Sequence, residues 1–195
     1  MTLQRILAYD VGKVNIGYAC TEHDNGIQTY IVHGLHVVPS KLPPGIRASD
    51  RIEFFEHQLR ELAPDIVVHE DNFGLPRSII KEVGKTIGFL ELACHYEQVE
   101  LKPVSPLSWM KALTGEGRAD DEVIRDCIKK HLPSVVLSTA TTAEHENDAL
   151  GIAVAFPSIP EISASKQVQN NRAEKDMIKS FFAFDEIKAD LRGGM

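Results

Sequence analysis

The chain has 195 residues, 43% of them hydrophobic and 25% charged, and carries a formal charge of −7. This composition fits one globular domain with a sizeable core and excludes a largely disordered chain. The acidic balance excludes a generic polyanion binder, because duplex affinity draws on many Lys and Arg contacts to phosphate.

Residues 5–9 alternate and are apolar, which predicts a first strand ending at Asp10. Gly12 and Asn15 mark a turn, and 16–20 form a return strand. Asp24-Asn25-Gly26 is a tight-turn signal, with a third strand over 31–38 completing an antiparallel meander. Pro43-Pro44-Gly45 breaks the chain, and a helix is expected from Asp50, with Glu53 as its capping partner and Ile52, Phe55, Leu59 and Leu62 on one face. Ile66-Val67-Val68 is a continuous apolar run suited to a central strand covered on both sides, and Glu70 and Asp71 follow it.

A long helix is predicted over 78–97, with Ile79, Val83, Ile87, Leu90 and Cys94 on one face and the small residues Gly84 and Gly88 one turn apart. A short strand over 99–101 precedes Ser105-Pro106, which cap and start a helix through Leu113. The loop Thr114-Gly115-Glu116-Gly117-Arg118 leads to a helix over 121–132, and a last helix begins near Thr142 and stops before Pro157. Residues 158–195 read as a polar linker and a C-terminal extension, helical over 172–191, so the main domain is residues 1–157. Strands first in antiparallel series, then alternating with helices, predict an α/β fold with a mixed sheet flanked by helices.

No apolar run approaches the roughly 20 residues that span a bilayer, and Ile6-Leu7-Ala8-Tyr9 is too short for a signal-peptide core. Cys20, Cys94 and Cys127, odd in number and widely spaced, read as reduced core thiols of an intracellular, cytoplasmic protein. No membrane association is expected.

Three acids stand where burial is expected: Asp10 and Glu70 at strand ends, and Asp148 in an otherwise apolar helical stripe. A buried carboxylate costs several kcal/mol unless a cation meets it. If the strand of Glu70 lies parallel to that of Asp10, their backbones are about 4.8 Å apart, a spacing suited to a pair of Mg2+ ions and phosphodiester hydrolysis. His145, Asp148, Ala149 and Ile152 follow the i, i+3, i+4, i+7 rule, so His145 stands one turn above Asp148. Asp71 reads as a solvated strand end, and Glu144 and Glu146 as acids favoured by the helix dipole. Gly84-Lys85-Thr86 mimics the end of a phosphate loop, but Ile79 stands where that loop needs Gly.

Ile6-Leu7-Ala8-Tyr9-Asp10-Val11-Gly12 with Ile16-Gly17-Tyr18, then Ile66-Val67-Val68-His69-Glu70, Thr114-Gly115-Glu116-Gly117-Arg118-Ala119 and His145-Glu146-Asn147-Asp148-Ala149-Leu150 resemble, in order, the acidic motifs of the RuvC Holliday-junction resolvases. The resemblance implies a ribonuclease-H-like fold with a five-stranded mixed sheet, a homodimer, and metal-dependent paired nicking of branched DNA such as a four-way junction. It makes Asp10, Glu70 and Asp148 ligands of two Mg2+ ions, with Mn2+ as a substitute, and His145 a fourth ligand or proton handler. Lys111 matches a family lysine that meets the scissile phosphate. One departure is Asp121, at a position where the family commonly has Lys. Arg77, Lys81 and Lys85 recur every four residues and form, with Arg118, the expected phosphate-tracking set. Two alternatives remain at this stage: a ribonuclease-H-like RNA-processing nuclease, and a catalytically idle binder of branched nucleic acid.

Overall fold

Alternation along the first strand decides the layering. The computed structural model describes residues 3–71, 77–138 and 144–160, without the side chains of Arg77 and Ser78. The elements run β1 (Gln4–Val11), β2 (Asn15–Asp24), β3 (Ile27–Val37), α1 (Pro44–Leu62), β4 (Ile66–Glu70), α2 (Arg77–Glu97), β5 (Glu100–Val104), α3 (Pro106–Thr114), α4 (Asp121–His131) and α5 (Glu144–Ala155), closed by a 3-10 turn at Phe156–Ser158. The sheet order is β3-β2-β1-β4-β5. β1 pairs antiparallel with β2 and β2 with β3, whereas β4 lies parallel to both β1 and β5. This is the mixed five-stranded, ribonuclease-H-like sheet that the sequence predicts.

Because side chains alternate across a strand, Ile6 and Ala8 of β1 enter one core with Ile66 and Val68 of β4, against α3, α4 and α5. Leu7, Tyr9, Val11 and Val67 enter the other, against α1 and α2. Asp10 and Glu70 keep step with the first set, so both lie on the α5 side. α5 is buried almost all round from Ala149 to Ala155, which suits a helix wedged between the sheet and two other helices. Its small residues permit that closeness. Each fully buried Ile or Leu here contributes about 1.5–3 kcal/mol.

Several boundaries differ from the sequence reading. α1 starts at Pro44, six residues before the expected Asp50, with Pro43 as its N-cap and no side-chain cap. The proline pair starts this helix rather than breaking the chain, since the first helical position needs no N–H and favours the fixed φ of proline. β3 begins at Ile27, directly after a turn in which Asn25 and Gly26 both have positive φ. β5 continues through Pro103 to Val104, which an edge strand tolerates because one side needs no ladder partner. The extension expected after residue 160 lies outside the described residues, and residues 1–159 group as one unit. All three cysteines are free, and burial pushes the Cys20 and Cys94 thiols up to about 12.

Gly17 is where α5 meets the sheet. A Cβ built there would lie 1.8 Å from the carbonyl oxygen of His145 and 2.7 Å from the backbone nitrogen of Glu146. Gly17→Ala is expected to lift α5 and lower stability by about 2 kcal/mol or more, read as the urea midpoint. An unchanged midpoint would mean that α5 does not sit on β2 in this way.

Candidate active site

Asp10 is 5% exposed, near the end of β1, and its register partner across the β1–β2 ladder is Gly17. The missing side chain at Gly17 lets the backbone of His145 come down onto the sheet, and His145 Nδ1 hydrogen-bonds Asp10 Oδ2. Nε2 of the same ring lies over Gly12, where a Cβ would be 2.7 Å away. Two glycines of the first motif are therefore spaces for one histidine. Arg51, 4% exposed on α1, donates from Nη2 to the Lys13 carbonyl at 2.9 Å and so holds the turn that follows Asp10.

Glu70 closes β4, two strand positions beyond Val68, with Val104 of β5 as its neighbour. Its Oε2 accepts a hydrogen bond of 3.1 Å from Nε1 of Trp109, a fully buried residue of α3. Asp148 lies one turn into α5. The hydrogen bonds of Thr114 Oγ1 to Met110 and Glu116, and the left-handed Gly115 (φ 86°), show that the glycine-containing motif is the C-cap of α3. A left-handed cap is the position where glycine loses least.

The three carboxylates act on one another. Burial, then the charge of Asp10, pushes Glu70 up to about 7, against the opposing pull of the Trp109 hydrogen bond and His145. Burial, followed by Asp10, Glu70, Glu144 and Asp121, pushes Asp148 up to about 8. His145 is raised mainly by its hydrogen bond to Asp10. Asp121, the departure from the family lysine, is thus within electrostatic reach of Asp148 and adds negative charge to it.

Among the described residues, no group of three or more His, Cys, Asp and Glu side chains is spaced to hold a metal ion as it stands. The donor set nevertheless fits a hard divalent cation: carboxylate oxygens with one imidazole, Asp10 buried and the others half-buried, with burial and then the charge of Asp10 opposing ionisation of Glu70 and Asp148. Ligation requires the carboxylates to draw closer than they stand here.

Other expected residues are placed as follows. Lys111 is exposed on α3, and Arg118 is exposed in the loop before α4. Lys81 and Lys85 are exposed on α2, where Lys85 Nζ pairs with Glu82 at 3.0 Å. The side chain of Arg77 lies outside the described residues. Asp71 is half-buried, and its backbone N–H donates to the Val104 carbonyl. Glu146 is not only a dipole acid: it pairs with His33 of β3 at 3.2 Å, and His33 in turn meets the Tyr30 hydroxyl at 2.9 Å. Sequence reading missed Trp109, Arg51 and His33. None belongs to a motif, and each is visible only through its partner.

Residues 6–156 match the family described as crossover junction endodeoxyribonuclease RuvC. The chain belongs to the RuvC family. It is by that membership a crossover junction endodeoxyribonuclease. The RuvC of Caldanaerobacter subterraneus subsp. tengcongensis is 25% identical over 151 residues, covering 77% of this chain and 90% of the relative. The RuvC of Thermotoga petrophila is 29% identical over 150 residues, covering 76% and 89%. Among solved structures, T. thermophilus RuvC in complex with Holliday junction substrate superimposes with a TM-score of 0.72 at 18% identity, covering 79% of this chain and 93% of that one. The yeast mitochondrial Holliday junction resolvase gives 0.56 at 13% identity, covering 82% and 81%. These two likenesses carry the fold.

The raised carboxylates set a pH dependence. A carboxyl held above its unfolded value favours the protonated fold, so the stability is complete below about pH 4 and is lost as pH rises through about 7 and about 8. In a chelator, stability is expected to fall by a few kcal/mol between pH 5 and 9, with Mg2+ restoring it and Asp148→Asn removing much of the slope. Urea titrations at each pH check this. A slope in Asp148→Asn equal to that of the parent chain would show that Asp148 is not the strained group.

Proposed function

We propose that this nuclease resolves four-way junctions by paired, symmetric nicks, through a site built from Asp10, Glu70, Asp148 and His145. The observation that carries the assignment is the convergence of three acids from β1, β4 and α5, with the charge of Asp10 bearing on both Glu70 and Asp148 and the His145–Asp10 hydrogen bond joining helix to sheet. These residues would hold two Mg2+ ions, or Mn2+ in their place, and the bound metals would supply charge neutralisation and a nucleophilic water.

The protein's own groups do the rest. Asp10 lies on β1 between β2 and β4, and its hydrogen bond with His145 holds its orientation. The His145 ring, raised above the ordinary imidazole range by its hydrogen bond to Asp10, is placed to hold or pass a proton near the reacting phosphate. Lys111 stabilises charge on that phosphate. Lys81, Lys85, Arg77 and Arg118 follow the flanking backbone, with part of Lys85's charge already engaged by Glu82. Asp121 subtracts from that attraction, so binding is expected to lean more heavily on divalent cations.

The second element of the proposal is a homodimer formed through α2. Ile80, Gly84, Gly88, Leu92 and Tyr96 recur every four residues along one ridge, and Ile80, Leu92 and Tyr96 are 44%, 41% and 68% exposed. A Cβ built at Gly84 or Gly88 meets nothing within 4 Å among the described residues, so the closeness these glycines permit is unused among them. A two-fold pairing of this ridge would bury it and present two sites to two strands of equal polarity. Such a substrate implies an intracellular site of action, away from any membrane; among the described residues no helix is long and apolar enough to cross one.

Three outcomes follow. Asp10→Asn should lower cleavage of a synthetic four-way DNA junction by about 1,000-fold or more, on the scale of losing a principal charge-stabilising group, while junction binding persists or tightens. Cleavage at the parent rate would overturn the site. A structured RNA in the same assay should stay intact, separating this enzyme from an RNA-processing nuclease. Gly88→Leu should convert the dimer to a folded monomer in sedimentation. A dimer that survives this change would remove α2 from the interface.

A further inference from the structure

Trp109 is the only tryptophan of the chain, and it is fully buried where three elements meet. Its indole Nε1 donates to Glu70 Oε2 at the end of β4. The far edge of the ring rests on α5, where Gly151 leaves the room: a Cβ there would be 3.0 Å from Cζ3. The ring is thus clamped by α5 on one side and clamps the carboxylate on the other.

The choice of residue is specific. Phenylalanine would fill most of this space and reach nothing, because only the indole N–H extends to Glu70. A lysine or arginine would reach it but would bring a fixed positive charge that competes with a cation for the same oxygens. An indole is a donor without charge and without a second protonation state. It fixes the torsion of a carboxylate while leaving its negative charge available.

We propose that Trp109 is a positioning residue of the nuclease site, orienting the Glu70 carboxylate for metal ligation from its place on α3. This rests on the reading of Glu70 as a ligand. Groups that orient a metal ligand from behind commonly account for 10–100-fold in metal affinity, and a rigid, fully buried ring is suited to that task.

The test is calorimetric titration of Mn2+ into the metal-free protein without DNA. Two variants are compared with the parent chain: Trp109→Phe, and a chain carrying 3-benzothienylalanine at position 109, which keeps the ring volume and lacks only the N–H. Both should bind Mn2+ about 10-fold more weakly or worse, while the benzothienyl chain keeps its metal-free melting temperature. Affinity equal to the parent in the benzothienyl chain overturns the proposal, and this variant decides the matter if Trp109→Phe does not fold. Glu70→Gln is titrated alongside. Weak Mn2+ binding there with unchanged binding in the benzothienyl chain rejects the role of Trp109 alone, whereas unchanged binding in Glu70→Gln rejects Glu70 as a ligand and the role of Trp109 with it.

Discussion

The start of α5 touches the sheet backbone to backbone at Gly17, and every other feature of the site depends on that contact. A side chain at this position would hold the helix away, and His145 could not reach Asp10 on the neighbouring strand. The same approach brings Asp148 into the field of Asp10 and Glu70. Geometry and electrostatics here have one cause: the absence of a single Cβ opposite the central acid.

What the contact creates is unfavourable on its own terms. Burying three carboxylates together is costly, and this chain adds Glu144 and Asp121 to the burden on Asp148. His145 and the indole of Trp109 ease the charge on Glu70. Structures usually violate packing and polarity rules where function requires it, and that cost at three converging acids is what the proposed metal site would offset. The acidic residue at 121 adds to the negative field on Asp148, in keeping with the net negative charge of the whole chain.

The two faces of the sheet divide the work. On the α5 side lie the acids, Trp109 and the capped glycine loop. The other side supplies rigidity, with Phe55, Leu59 and Leu90 packed on Leu7 and Tyr9, and Arg51 reaching across to hold the turn beyond Asp10. Along the outer ridge of α2, Ile80, Leu92 and Tyr96 stay exposed among the described residues, and the proposed dimer would cover them.

Much of this was legible in the amino-acid order. Local rules fixed the meander, the Ser105-Pro106 cap and the long helix, because alternation, turn chemistry and capping act over a few residues. The identities of Asp10, Glu70, Asp148 and His145 also stood out, since charge in an apolar context is visible in one dimension. Local rules misplaced the start of α1, where the proline pair serves as an initiator. Tertiary structure alone decided the rest. That Gly17 and Gly12 are clearances for His145, that Trp109 holds Glu70, that His33 meets Glu146 and that Asp121 bears on Asp148 all join residues far apart in sequence, often more than a hundred positions. Such pairings leave no local signal: each exists only once the parallel β1–β4 register and the seat of α5 have been set by burial of the two cores.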